Sequence, residues 1–379
     1  MKKRIVSALL AGFLLVSATA CGKQPAADAA QPGTDPAQTY LDTVDVDYAY
    51  ELALKLEGIR SNETLGYRTA GSDAELATGD MLKAEMERIG LQNVTKDAFT
   101  LDTWTFTKAQ LSFEDSAGEV HVAELGGYQT DFVTDGAETF TVIDGGRGTE
   151  ADLAGLDVAG KLVLVNINQR EDWWINYPAY EAYLAGAAAV IAVQDGGYAE
   201  VSDDALNAQD VCGPSYAPAF SMSRTDAELL RAAMNESGEA TVTLDANSRV
   251  GIDGTSFNIV GTIPGRDTES MVLMSAHYDS YFAGFQDDNA AIALMMGIAK
   301  GLIDSGYQPE KTLVFCAMAA EEWGVSNTRY DWSTGAYNQI FRVHPEWVGK
   351  VIADINFELP AMNEGTSDQI RTSYELKTF

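Results

Sequence analysis

Three apolar runs of this chain each end in groups that can hold a metal ion or move a proton. Met271-Val272-Leu273-Met274 leads through small residues to His277 and Asp279. Thr312 to Met318 runs into Ala319-Ala320-Glu321-Glu322-Trp323-Gly324. Val351 to Glu358 is the third, and strand parity puts Asp354, Asn356 and Glu358 on one face. Each run has the length and apolar character of a buried strand. Asp287-Asp288-Asn289 stands directly before an apolar helical pattern, Ala290 to Leu302, where an aspartate or asparagine is a good helix N-cap. One imidazole and several carboxylates form the mixed nitrogen and oxygen donor set that zinc takes. Adjacent carboxylates after a buried strand are costly without a cation or a role. In open α/β sheets, ligands bind at the carboxyl ends of the strands. The pattern therefore implies an α/β fold with metal-assisted chemistry at one sheet edge.

Taken in order, AHYDS, DDNAA, AAEEWG and INFEL resemble the motifs of the co-catalytic dizinc exopeptidases, a family of bacterial leucyl aminopeptidases and glutamate carboxypeptidase-like enzymes. The likeness runs from about Asp47 to the C-terminus, with an inserted domain. It implies a mixed, largely parallel sheet with helices on both faces, peptide substrates and two zinc ions. In that pattern His277 binds one zinc, Asp288 bridges both, Glu322 binds the second, and Glu358 completes the first, with Asp354 a nearby competitor. Asp287 matches a non-ligand position. Asp279 matches the acid that accepts a hydrogen bond from the histidine and fixes its tautomer. Glu321 matches the general base that takes a proton from a metal-activated water. Family members often carry a cis peptide just after the bridging aspartate, so one is expected at Asp288–Asn289.

The family also uses a final histidine well beyond the third strand. This chain has three histidines, His121, His277 and His344, and neither His121 nor His344 falls at the matching place. The chain ends at Phe379, a short way past Glu358. The expectation is a truncated product whose second zinc lacks its imidazole and whose activity is weak or absent. Two other readings stand beside it. One is a lipid-anchored, non-catalytic binding protein on a dead peptidase fold. The other is a glutaminyl-cyclase-like transferase, whose chemistry uses one zinc.

The remaining sequence fits an exported enzyme. Lys2-Lys3-Arg4, the short apolar run Ile5 to Val16 and Ala18-Thr19-Ala20-Cys21 read as a lipoprotein signal peptide, residues 1–21. The protein is then expected to face outside the cytoplasm of a bacterium, held to the membrane only through a lipidated Cys21. Residues 22–40 read as a flexible linker rich in Ala, Pro, Gln and Asp. Lys and Arg total 25 against 56 Asp and Glu, a net charge of -31, which argues against binding a nucleic-acid backbone. Cys316 reads as a core thiol, with pairing to Cys212 left open.

Helical patterns at Tyr48–Ile59 and Asp73–Ile89, the latter closed by Gly90, flank the turn Thr69-Ala70-Gly71-Ser72. From about Gly118 the texture changes to short strands with Gly- and Asp-rich turns. Gly160 to Val165, a helix over Ala179–Gly186 and AGAAAVIAVQD resemble a protease-associated (PA) domain, commonly inserted in this peptidase family. Trp173, Trp174 and Tyr177 read as core or interdomain packing rather than a ligand platform. The expected organisation is a zinc peptidase domain of residues 41–117 and 249–379, interrupted by a PA domain of residues 118–248.

Overall fold

The structure, a computed structural model, describes residues 35–197, 201–206, 214–328 and 332–360. The expected signal peptide with Cys21, most of the linker, and Cys212 lie outside the described residues. The helices are α1 (Pro36–Thr43), α2 (Val46–Glu57), α3 (Asp73–Ile89), α4 (Glu150–Leu153), α5 (Asn176–Leu184), α6 (Arg224–Ala233), α7 (Ala290–Asp304) and α8 (Thr334–Asn338). The strands are β1 (Gln92–Glu114), β2 (Val120–Glu124), β3 (Gly126–Gly127), β4 (Phe132–Val133), β5 (Glu138–Asp144), β6 (Leu162–Asn168), β7 (Ala189–Gly196), β8 (Ala219–Ser221), β9 (Glu239–Ile263), β10 (Asp267–His277), β11 (Lys311–Met318) and β12 (Val351–Asn356).

The result is the expected α/β fold on a mixed sheet. Two parallel blocks are joined by one long antiparallel ribbon. In the first block β10 lies between β11 and β12, parallel to both. In the second, β5, β6, β7 and β8 run parallel. Between them β9, 25 residues long, pairs antiparallel with β11 at one end and β5 at the other. It also pairs with β1 from Gln92↔Thr262 to Phe113↔Val242, with three register shifts on the way. Both strands pass unbroken from one block to the other, so residue 248 lies inside a continuous strand.

The near-continuous apolar runs of β10 and β11 follow from burial on both faces. One face carries α7, whose residues from Ala291 to Leu302 are mostly buried. The other packs Leu273, Val314, Cys316 and Met318 against Trp347. Cys316 is a buried free thiol, as expected of a core cysteine. A separate cluster of Val163, Val165, Ile167, Val190 and Ala192 with Ile175 and Ala179 forms the core of the second block.

Helix α3 begins and ends where its capping residues place it. The Ser72 hydroxyl accepts the Glu75 N–H at 3.2 Å, and Gly90 closes the helix at φ 99°. The linker reading fails at its C-terminal end. Asp35 caps α1 by accepting the Ala37 N–H, and the expected tether is helical from Pro36. It is ordered because Tyr40, 1% exposed, packs on the flat surface of Gly301, while Thr43 Oγ1 donates to the Gly301 carbonyl at 2.9 Å. Among the described residues the Tyr40 hydroxyl is buried without a hydrogen-bond partner. Such a group costs about 1–3 kcal/mol. Tyr40→Phe is therefore expected to raise the urea midpoint, whereas Tyr40→Ala should lower stability by about 3–5 kcal/mol. A lower midpoint for Tyr40→Phe would show that the hydroxyl has a partner.

Candidate functional site

Strands β10, β11 and β12 release their chains at one edge, and the expected site residues gather there. His277 is the last residue of β10 and is 2% exposed. Its Nδ1 faces Asp279, 3.1 Å from the backbone oxygen and 3.4 Å from Oδ1. Its Nε2 faces three other carboxylates: Asp287 Oδ1 at 3.0 Å, Glu358 Oε1 at 3.6 Å and Asp288 Oδ2 at 3.8 Å. Asp288 is fully buried, and accepts from the His277 N–H and the Leu359 N–H, both at 3.3 Å. This one side chain thus ties the end of β10 to the segment after β12.

The other two acids sit on the loop after β11. Asp279, 1% exposed, accepts the Glu321 N–H on Oδ1 at 2.9 Å and the Glu322 N–H on Oδ2 at 3.0 Å. The same carboxylate therefore orients the histidine ring and fixes the Glu321–Glu322 backbone. Glu321 Oε1 accepts from Ser333 Oγ at 3.0 Å. Glu322 lines a small pocket with Asp279, Thr69, Trp104, Tyr281 and Trp323.

Electrostatics follow from this crowding. Burial alone would push the His277 imidazolium down, but Asp288, Asp279, Asp287 and Glu358 together hold it well above its ordinary value. Burial pushes Asp288 well up, reinforced by Glu358 and Asp287 and opposed by His277. Burial also raises Glu321, to about 7, a value suited to accepting and returning a proton near neutrality. Several carboxylates converging on one buried imidazole, Asp288 buried and Asp287 and Glu358 part-exposed, repel one another, and a divalent cation is a counter-charge they fit. His277, Asp287 and Glu358 each place a donor atom within 4.8 Å of the others.

Four features differ from the sequence expectations. Asp287, assigned to a non-ligand position, brings its carboxylate closer to His277 Nε2 than Asp288 does. The cis peptide is Asp287–Asp288, one bond earlier than expected. Asp287 and Asp288 have non-helical backbones, whereas Asn289 at φ −55°, ψ −37° already continues into α7. Asn289 is not a side-chain cap, because its amide oxygen is taken by the guanidinium of Arg68. The third strand stops at Asn356, two residues before Glu358. Asp354 does not compete for the cluster: with Asn356 it accepts from Ser275 Oγ, at 3.0 Å each. The other two histidines are engaged elsewhere, His121 with Asp115 and His344 with Asp97 and Glu346.

Sequence reasoning missed Arg68 and Ser333. Arg68 is 1% exposed, and its guanidinium donates to the Tyr278, Leu56 and Ile59 carbonyls as well as to Asn289. It braces the Tyr278 peptide between His277 and Asp279. The available signal was an arginine in an otherwise small and apolar turn, Gly66 to Gly71.

Comparison with known proteins bears on this geometry. Residues 258–377 match the model of peptidase family M28, and residues 118–230 match that of the PA domain. The chain thus has one segment similar to peptidase family M28 and another similar to the PA domain. A protein named "Probable leucine aminopeptidase 2" from Aspergillus fumigatus is 25% identical over 283 residues, 73% of this chain and 53% of the relative. The chain therefore spans about half the length of that relative. Leupeptin-inactivating enzyme 1 of Streptomyces exfoliatus is 32% identical over 92 residues, 24% of this chain and 20% of the relative. Among solved structures, BSAP, a zinc aminopeptidase from Bacillus subtilis, superposes with a TM-score of 0.58 at 21% identity, covering 83% of this chain and 69% of that one. A peptidase M28 precursor from Shewanella amazonensis gives 0.59 at 18% identity, covering 84% and 72%. At these identities the structural likeness speaks for the fold alone, a mixed α/β sheet with packed helices.

Asp279 is the residue on which this arrangement turns. Asp279→Asn keeps one acceptor oxygen and loses the other along with the negative charge. It is expected to weaken zinc binding about 10–100-fold in chelator competition; unchanged affinity would show that the carboxylate does not support the histidine.

Proposed function

We propose that this chain is a zinc-dependent exopeptidase that acts as an aminopeptidase. The observation that carries the reading is the convergence of His277, Asp287, Asp288 and Glu358, with Asp279 fastening the Glu321–Glu322 segment to the same histidine. The zinc-aminopeptidase fold of its structural neighbours and the leucine aminopeptidase relative support it.

His277 Nε2 with Asp288 and Glu358 would hold one zinc, and Asp288 with Glu322 a second. Asp287 would add a donor at the first. Bound there, zinc supplies a Lewis acid that polarises a peptide carbonyl and acidifies water. The rest falls to the protein. Glu321, half-buried and raised, accepts the proton of the attacking water and passes it to the leaving amine. The Ser333 hydroxyl fixes which carboxylate oxygen is engaged, leaving the other free to face the substrate. Asp279 directs His277 Nε2 towards the carboxylates by occupying Nδ1.

Within the 379 residues His277 is the imidazole at this site, since His121 and His344 pair elsewhere. The first position is therefore the tighter one, and the second rests on carboxylates. The basic and apolar residues 2–16 followed by Ala18 to Cys21 support export and lipid anchoring of the same protein.

Glu321→Gln is the direct test. It should lower hydrolysis of leucine anilides and short peptides by about 100-fold or more, with zinc content unchanged. If wild type and Glu321→Gln turn over every substrate alike, the non-catalytic binding reading replaces this one. Zinc titration of the metal-free protein is expected to show one tight equivalent and a second that is weaker by at least about 100-fold. Two equally tight ions would overturn the assignment of a carboxylate-only second site.

A further inference from the structure

The loop that carries Glu321 begins with an unusual backbone. Ala320 has φ 51°, in the left-handed region that an alanine adopts only under constraint. It is fully buried, so its N–H must find a partner inside the protein. That partner is Glu75, on the first turn of α3 and 245 residues away, whose Oε1 accepts the Ala320 N–H at 3.0 Å. Glu75 is itself fully buried. Its other oxygen accepts from Ser256 Oγ at 2.6 Å and from the Gly71 N–H at 2.5 Å.

The neighbouring N–H groups are caught in the same way. Ala319 donates to Asn258 Oδ1 at 2.9 Å, and Glu321 and Glu322 donate to the two oxygens of Asp279. Four consecutive backbone donors are thus held by three buried side chains from β9, α3 and the loop after β10. Three of the four are ordinary loop anchors. The Ala320 contact differs because it opposes a backbone preference: the Glu75 acceptor offsets the cost of the left-handed conformation at the centre of the turn that aims the two glutamates.

We propose that Glu75 is a positioning residue for Glu321 and Glu322, acting through the Ala320 N–H to hold the left-handed turn out of β11. The catalytic consequence rests on the peptidase reading above; the conformational one does not. Removing the acceptor leaves the fold and the His277 cluster in place while the two glutamates lose their direction, so turnover falls more than substrate binding.

The test compares wild type, Glu75→Ala and Glu75→Gln by hydrogen–deuterium exchange and by zinc-loaded kinetics on a leucine anilide. Gln is the informative control. Its amide oxygen can serve Ala320, its NH2 can donate to Ser256 Oγ, and the half-buried Gly71 can turn to water. Exchange at residues 320–322 is expected to rise about tenfold or more in Glu75→Ala and to stay near wild type in Glu75→Gln. In Glu75→Ala, kcat is expected to fall about 100-fold with KM held within about threefold. The double variant Glu75→Ala with Ala320→Gly should recover part of that kcat, because glycine adopts φ 51° without strain. If Glu75→Ala does not fold, Glu75→Leu fills the space without an acceptor and carries the same expectations. Unchanged exchange at 320–322, or equal loosening in Glu75→Gln, overturns the proposal. A wild-type chain that binds zinc but cleaves nothing overturns the peptidase reading alone, and the exchange measurement still judges the clamp.

Discussion

The carboxylate of Asp279 is the contact on which the site depends. It meets the imidazole of His277 with one oxygen and the backbone of Glu321 and Glu322 with both. Strands β10 and β11 are already parallel neighbours, but parallel pairing only sets their spacing. Where each chain goes after leaving the sheet is decided by side chains, and Asp279 couples those two exits. A buried carboxylate is costly unless its oxygens are satisfied. Here the imidazole and two amides satisfy them, and Arg68, braced on the Tyr278 carbonyl next door, adds a buried positive charge.

The same logic extends outward. Asp288 joins the end of β10 to Leu359 beyond β12, and Ser275 gathers Asp354 and Asn356 from β12. All three strand exits are therefore stitched by directional polar contacts that an apolar core could not provide. Non-directional burial holds β10 and β11 in the sheet. Directional hydrogen bonds then aim the groups that do chemistry. The division explains why the strands read as almost uninterrupted apolar runs while the residues just beyond them are almost all polar or small.

Much of this was legible in the chain itself. His277, Asp279, Glu321 and Glu322 could be found because strand ends announce themselves by a change from apolar to acidic residues. Helix α3 was bounded by Ser72 and Gly90, whose capping chemistry is local. What could not be read depends on partners distant in sequence. Arg68 reaches Asn289 across 221 residues and displaces it from the capping role its position suggests. Ser333 meets Glu321 only because the loop folds back. Residues 36–40 look like tether by composition, yet Tyr40 finds a seat on Gly301 that no local pattern reveals. The choice between Asp354 and Glu358 was likewise a matter of side-chain direction beyond the end of β12, which parity alone leaves open.

The ribbon of β1 and β9 bears on how the two blocks can move. An inserted domain is commonly pictured as hanging from two slack strings, free to swing. Here both connections are strands of one ladder, paired from Gln92 to Phe113 and from Val242 to Thr262. Such a beam resists twisting and yields most readily where its ladder is interrupted, near Gln92–Thr95, Leu101–Thr103 and Phe106–Lys108. The loop after Glu322 is fastened at the Leu101–Thr103 interruption, through Asp102 to Ser326 and Gly324. Any flexing of the beam at that joint would reach the acidic loop directly, through shared hydrogen bonds rather than through a separate flap.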